Sequence, residues 1–138
     1  MTKPIIVSEK DWNRIGAELF GPNKLDWRFV CPACGHVSTG RRLLELDISD
    51  AGRVRRECEG RFNPSALEGC PKELRGGTKA KRLERLEQIA AFRKQHGCDW
   101  FGGMGVDTVF VMEGTGLSNV FCFDHLEAKA KLMAVQIP

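Results

Sequence analysis

The chain has 138 residues, 42% of them hydrophobic and 28% charged, with a formal net charge of +3. That length favours one domain with one modest core spanning residues 1–138, and the composition excludes wholesale disorder. The charge is too small to name a nucleic-acid partner, no stretch approaches the roughly 18 apolar residues of a membrane span, and Met1 to Ser8 holds no signal-peptide core, so a cytoplasmic location with reduced thiols is expected.

In chain order, the first predicted element is an amphipathic helix over residues 8–20. Ser8 caps it, Asp11 sits where a capping box places its acid, and Trp12, Ile15, Leu19 and Phe20 share one face. Gly21-Pro22-Asn23 ends it. Leu25 to Phe29 alternates apolar and polar residues, as a half-buried strand does. Residues 40–46 suit one or two helical turns with Leu43, Leu44 and Leu46 turned to the core. Arg53 to Cys58 reads as extended, with Val54 its one strong apolar residue.

Gly76-Gly77 precedes a helix from about Lys79 to His96, on which Leu83, Leu86, Ile89, Ala90 and Arg93 share a face, and Gly97 is its natural C-cap. Val106 to Met112 and Val120 to Asp124 are strand-like, joined by a loop over Glu113 to Ser118. A short last helix is expected from Asp124, with Asp124 as its cap and Glu127 three residues on. The expected fold class is α+β: a small zinc-ribbon-like antiparallel sheet, an N-terminal helix and an inserted long basic helix.

The strongest chemical signal is Cys31-Pro32-Ala33-Cys34-Gly35, directly after Trp27 to Val30. Two thiolates at this spacing are half of a tetrahedral zinc site, and the turn between them aims backbone N–H groups at the sulfurs. A thioredoxin-like redox pair would need a helix and a βαβ context, and Gly35-His36-Val37-Ser38 opens no such helix. Cys58, at the end of an extended run with a glycine close behind, is the third candidate ligand. The fourth is Cys70, twelve residues on, or Cys98, which would tie the C-terminal hairpin to the knuckle. Cys122 alternates with Phe121 and Phe123 and reads as a core thiol. His36 and Glu59 read as surface residues, and His96 as a helix-end charge.

Trp27 to Val37, Cys58-Glu59-Gly60-Arg61-Phe62, and Gly97-Cys98-Asp99-Trp100 with Gly102-Gly103 together resemble an uncharacterised family of small phage and prophage zinc-binding proteins. The resemblance covers residues 8–62 and 97–124. It implies one structural Zn²⁺ held by Cys31, Cys34, Cys58 and Cys98, in preference to Cys70, and a protein at work in the host cytosol. The chain departs from the pattern between Pro64 and His96, so residues 63–97 read as an inserted helical segment.

That segment is where the positive charge collects. Pro71 to His96 holds eight basic residues against three acidic ones, while the rest of the chain has a slight acidic excess. Arg75, Lys79, Lys81, Arg82 and Arg85 are candidates for a face that contacts phosphates or an acidic protein surface, against the plainer alternative of a solvated helix. Phe101, Phe110, Phe121 and Phe123 are most simply core, with a stacking platform for single strands as the rival. Gly102-Gly103-Met104-Gly105 lacks the Lys-Ser/Thr pair of a phosphate loop. Asp124-His125 resembles the start of a His-metal nuclease motif, without its later Asn and His. With no convergent catalytic set, the expectation is a non-enzymatic binding module for a host or phage protein, or alternatively for nucleic acid.

Overall fold

The computed structural model describes residues 4–62, 79–98, 100 and 108–137, with the side chains of 79–86 and 89 outside that description. β1 (Ile5–Ser8) runs straight into α1 (Glu9–Phe20). Ser8 belongs to both. Its Oγ accepts from the Asp11 N–H at 3.1 Å and donates to the Asp11 carboxylate at 3.1 Å, so one side chain ends the strand and starts the helix. Trp12, Ile15 and Gly16 form the buried face of α1, with Leu19 and Phe20 packed at its border.

After α1 the chain makes a 3-10 turn, Lys24–Asp26, where a strand was expected. Asn23 captures it, its side chain accepting from the Leu25 N–H at 3.0 Å; such local bonds compete with strand formation. β2 (Arg28–Val30) therefore starts later, and pairs antiparallel with β3 (Val37–Thr39) in the register Arg28↔Thr39 to Val30↔Val37. The loop of this hairpin is the Cys31 to Cys34 knuckle. Thr39 caps α2 (Gly40–Glu45), near the bounds expected.

Only the end of Arg53 to Cys58 is extended, at Cys58. Ala51–Arg55 forms a 3-10 turn capped by Asp50, whose carboxylate accepts from the Gly52 N–H at 3.1 Å. Arg53 then reaches Glu57 one turn on, with two of its guanidinium nitrogens, Nε and Nη2, donating to the one carboxylate. Helical i,i+4 pairing outweighed a sequence with little apolar alternation. Val54 still goes to the core.

α3 (Lys79–His96) and the hairpin of β4 (Thr108–Glu113) and β5 (Gly116–Phe121) follow as expected, with a tighter turn. Glu113 pairs with Gly116, so only Gly114-Thr115 lies between the strands, and Gly114 supplies the φ of 60° that the turn needs. α4 (Ala128–Ala134) starts four residues after Asp124. Asp124 is instead engaged with Arg28: its N–H donates to the Arg28 carbonyl at 2.9 Å and its carboxylate lies 3.8 Å from the guanidinium.

The fold is α+β, but its main sheet is mixed. β1 pairs parallel with β4, from Ile5↔Val109 to Ser8↔Met112, giving the order β1-β4-β5. A run of only three apolar residues has no period to read, and its strand character comes from burial of Val7 against Val109 and Val111. The knuckle hairpin joins this sheet beyond β5. Phe29 bridges Phe123, and the Val30 N–H donates to the Cys122 carbonyl at 3.1 Å.

The core centres on Phe123. Its ring lies 4.0 Å from Trp12, stacked, and 5.6–5.7 Å from Phe20, Trp27 and Phe29. Trp27 also fills the space left by Gly16, where a Cβ would come within 2.4–2.6 Å of the indole ring atoms. Phe121 and Phe123 are buried, so neither offers a surface for stacking bases, and Phe110 is half-buried. No helix of the described residues is long and apolar enough to cross a membrane. Cys70, Arg75, Phe101, the Gly76-Gly77 hinge and the 102–105 glycine run lie outside the described residues.

Candidate metal centre

Cys31, Cys34, Cys58 and Cys98 converge from three separate parts of the chain, and their Sγ atoms all lie within 4.8 Å of one another. Zn–S bonds of about 2.3 Å set at tetrahedral angles put the sulfurs about 3.8 Å apart. Two edges of the cluster measure 3.8 Å (Cys31 to Cys98) and 3.7 Å (Cys34 to Cys58). The donor set therefore fits one thiophilic cation. Cys31, Cys58 and Cys98 are buried and Cys34 is half-buried, so the site is shielded by protein on most sides.

Each ligand is placed by local backbone chemistry. The knuckle closes by two bonds, Cys31 N–H to the His36 carbonyl at 2.9 Å and Gly35 N–H to the Cys31 carbonyl at 2.8 Å. Gly35 turns it with a φ of 76°. Cys58 caps the 3-10 turn Glu59–Arg61, and its N–H donates to the Trp100 carbonyl at 3.0 Å. Cys98 follows α3 through Gly97, whose φ is 90° and whose N–H donates to the Arg93 carbonyl at 2.6 Å. Gly60 and Gly97 meet backbone to backbone. A Cβ on either would overlap the other's main chain, so this pair of glycines is what lets Cys58 and Cys98 share a site.

N–H groups converge on the sulfurs. The Cys98 N–H donates to Cys58 Sγ at 3.2 Å. Backbone bonds from His36 and Trp100 favour the thiolates of Cys34 and Cys98. With their own protons, the four groups share unequally. Hydrogen bonds from Cys31, Cys34 and Cys98 drive Cys58 far below the usual thiol range. Cys34 is driven above it by bonds with Cys31, Cys58 and Cys98, and Cys98 first by Cys31. A bound divalent cation would take the place of those protons on all four sulfurs.

Around the sulfurs lies a polar shell that sequence reasoning missed. Glu59 is 5% exposed rather than a surface charge. Burial pushes its carboxyl up, but His36 at 3.5 Å and Arg42 at 3.4 Å outweigh that and hold it below the usual range. Ser38 donates to the same carboxylate at 3.4 Å. His36 is not a surface residue either. Its side chain is 12% exposed, held between Glu59 and the Lys94 carbonyl, to which Nδ1–H donates at 2.8 Å, and Glu59 raises its pKa. A buried acid beside four thiolates needs cationic neighbours, and these supply them. The available signal was position: His36 is two residues after one ligand and Glu59 directly follows another.

Cys122 is buried in the core away from the cluster, and the His96 ring packs on Phe92 at 4.5 Å. The backbones of Lys79, Lys81, Arg82 and Arg85 lie in α3, while their side chains are outside the description. Of the residues expected to share one face of α3, Ala90 and Arg93 are exposed, and the side chains of Leu83, Leu86 and Ile89 are outside the description.

A model of the VVA0879-like family matches residues 8–124, and the chain belongs to that family. The match runs from the cap of α1 to Asp124 and includes all four clustered cysteines. No curated protein and no solved structure matches the chain.

Proposed function

We propose that the chain is a zinc-stabilised binding module without catalytic activity, acting in the cytoplasm through protein–protein contact. The observation that carries the metal half of this proposal is the four-sulfur cluster with edges of 3.7 and 3.8 Å. Four thiolates close the coordination sphere of Zn²⁺ and leave no position for a reacting water, which suits a structural ion rather than a catalytic one. The resemblance to small phage and prophage proteins supports a phage-encoded module aimed at a host factor or defence complex. That support is by analogy of family, not by chemistry.

Elemental analysis of protein purified under reducing conditions tests the first half. One zinc per chain is expected. Iron at the same stoichiometry would keep the four-thiolate site and change the metal, since tetrahedral sulfur suits both. No bound metal would overturn the proposal.

A second reading, nucleic-acid binding through α3, draws on the local excess of basic residues between Pro71 and His96. It predicts binding that weakens steeply with salt and is lost in a Lys81→Ala, Arg82→Ala, Arg85→Ala triple variant. No binding to duplex or single-stranded DNA or RNA at low salt would leave protein contact as the surviving reading.

A further inference from the structure

The centre fastens the end of α3 as well as its own ligands. We infer that the bound metal is a clamp that docks α3 on the body of the protein, so that loading or losing the ion sets how the basic helix is presented. The inference rests on the metal proposal above and adds to it a regulated element.

From Glu87 to Gln95 the described side chains of α3 are exposed, apart from half-buried Phe92. Helices in proteins owe most of their stability to packing of an apolar face, and the described side chains of this stretch offer little of one. Immediately afterwards Gly97 and Cys98 are buried. Among the described side chains of α3, the attachment is thus at the C-terminal turn.

Among the described residues, three contacts make it, and each is supplied next to a metal ligand. Cys98 Sγ lies in the cluster itself. Gly97 packs on Gly60, two residues after Cys58, with no room for a side chain on either. His36, two residues after Cys34, donates Nδ1–H to the Lys94 carbonyl at 2.8 Å. That carbonyl is one of the last four of the helix, which have no partner within it. Displacing the ligands moves all three fastenings together. The aromatic core around Phe123, by contrast, is built from Trp12, Phe20, Trp27 and Phe29, none of which is a ligand.

Hydrogen–deuterium exchange on the full chain, metal-loaded and then stripped by a chelator with a thiol reductant, reads this directly. Protection at residues 88–98 is expected to fall about tenfold or more, while α1 and β4 keep theirs. Unchanged protection at 88–98 after stripping would overturn the clamp. So would an equal loss in β4, which would make the ion a support of the whole fold. A His36→Ala variant is expected to keep one metal per chain and still lose protection several-fold at residues 94–98; full protection there would also overturn the clamp. A chain that binds no metal fails earlier and by a different readout, elemental analysis, and takes the metal proposal with it.

Discussion

The half of the molecule around Phe123 and the half around the four sulfurs are held together by different means. In the first, α1 packs Trp12 and Ile15 onto β1 and β4, and four aromatic rings surround Phe123. In the second, β2, β3, the 58–61 turn and the end of α3 are each short or exposed. Their meeting point is four sulfurs ringed by a buried Glu59, His36 and Arg42. Apolar burial there is thin, and a metal ion is the natural source of the missing free energy. One half should outlast loss of the ion, and the other should not.

Cys58→Ala is the strongest way to break that comparison. It removes one of the four clustered sulfurs, the one that lies 3.7 Å from Cys34 Sγ and accepts from the Cys98 N–H. Structural zinc in small domains is worth about 10–16 kcal/mol of apparent binding energy, so loss of bound metal by elemental analysis should be complete. Near-UV circular dichroism should keep the signature of the Trp12–Phe123 stack. A variant that unfolds throughout would show the two halves to be one cooperative unit.

Phe123→Ala attacks from the other side. It empties the middle of the aromatic cluster, and truncating a buried Phe costs about 3–5 kcal/mol. Urea unfolding of the metal-loaded protein should show that loss. Because the Phe123 ring also packs on Phe29 beside the knuckle, 5.6 Å between centroids, metal affinity should fall in the same variant. Unchanged metal affinity would mean that the centre assembles without support from the main sheet.

How much of each half was legible in the sequence follows the same division. α1, α2, α3 and the β4–β5 hairpin were readable because period, caps and turn glycines are local signals. The Cys31–Cys34 knuckle was readable because two residues at one spacing carry the chemistry. β1 was not, since Ile5-Ile6-Val7 becomes a strand only through β4, a hundred residues away. The 51–55 turn was misread because Asp50 and the Arg53–Glu57 pair decide it, not apolar alternation. Cys98 was preferred to Cys70 through family resemblance alone, and the structure brings Cys98 to the cluster while Cys70 lies outside the described residues. Glu59 and His36 read as surface groups in the sequence because burial of a charged residue depends on partners that sequence does not place.

Two glycines sharpen the comparison on a smaller scale. Gly60 and Gly16 each mark a place where no side chain fits, one against the Gly97 backbone and the other against the Trp27 ring. Backbone cannot yield as a ring can. Gly60→Ala should therefore separate Cys58 from Cys98 and weaken metal binding, read by competition with a chromogenic chelator, with little change in the aromatic half. Gly16→Ala should cost about 1–3 kcal/mol of overpacking in urea unfolding and leave metal stoichiometry at one. Exchanged effects, with Gly16→Ala losing metal and Gly60→Ala losing stability alone, would assign the glycines to the wrong halves.

The smallest effect tests whether the aromatic half behaves as an independent support. Ser8 joins β1 to α1 through the 3.1 Å bond from the Asp11 N–H to its hydroxyl. Removing such a cap costs about 1 kcal/mol, too little to unfold the chain but enough to shift a urea midpoint. If the halves are held separately, Ser8→Ala lowers that midpoint without altering metal content or the exchange of residues 88–98. A fall in protection at the end of α3 in this variant would mean that strain passes from the cap of α1, through the Trp12–Phe123 stack and the Phe29 bridge, into the knuckle. The ion would then be reporting on the aromatic core rather than standing in for one.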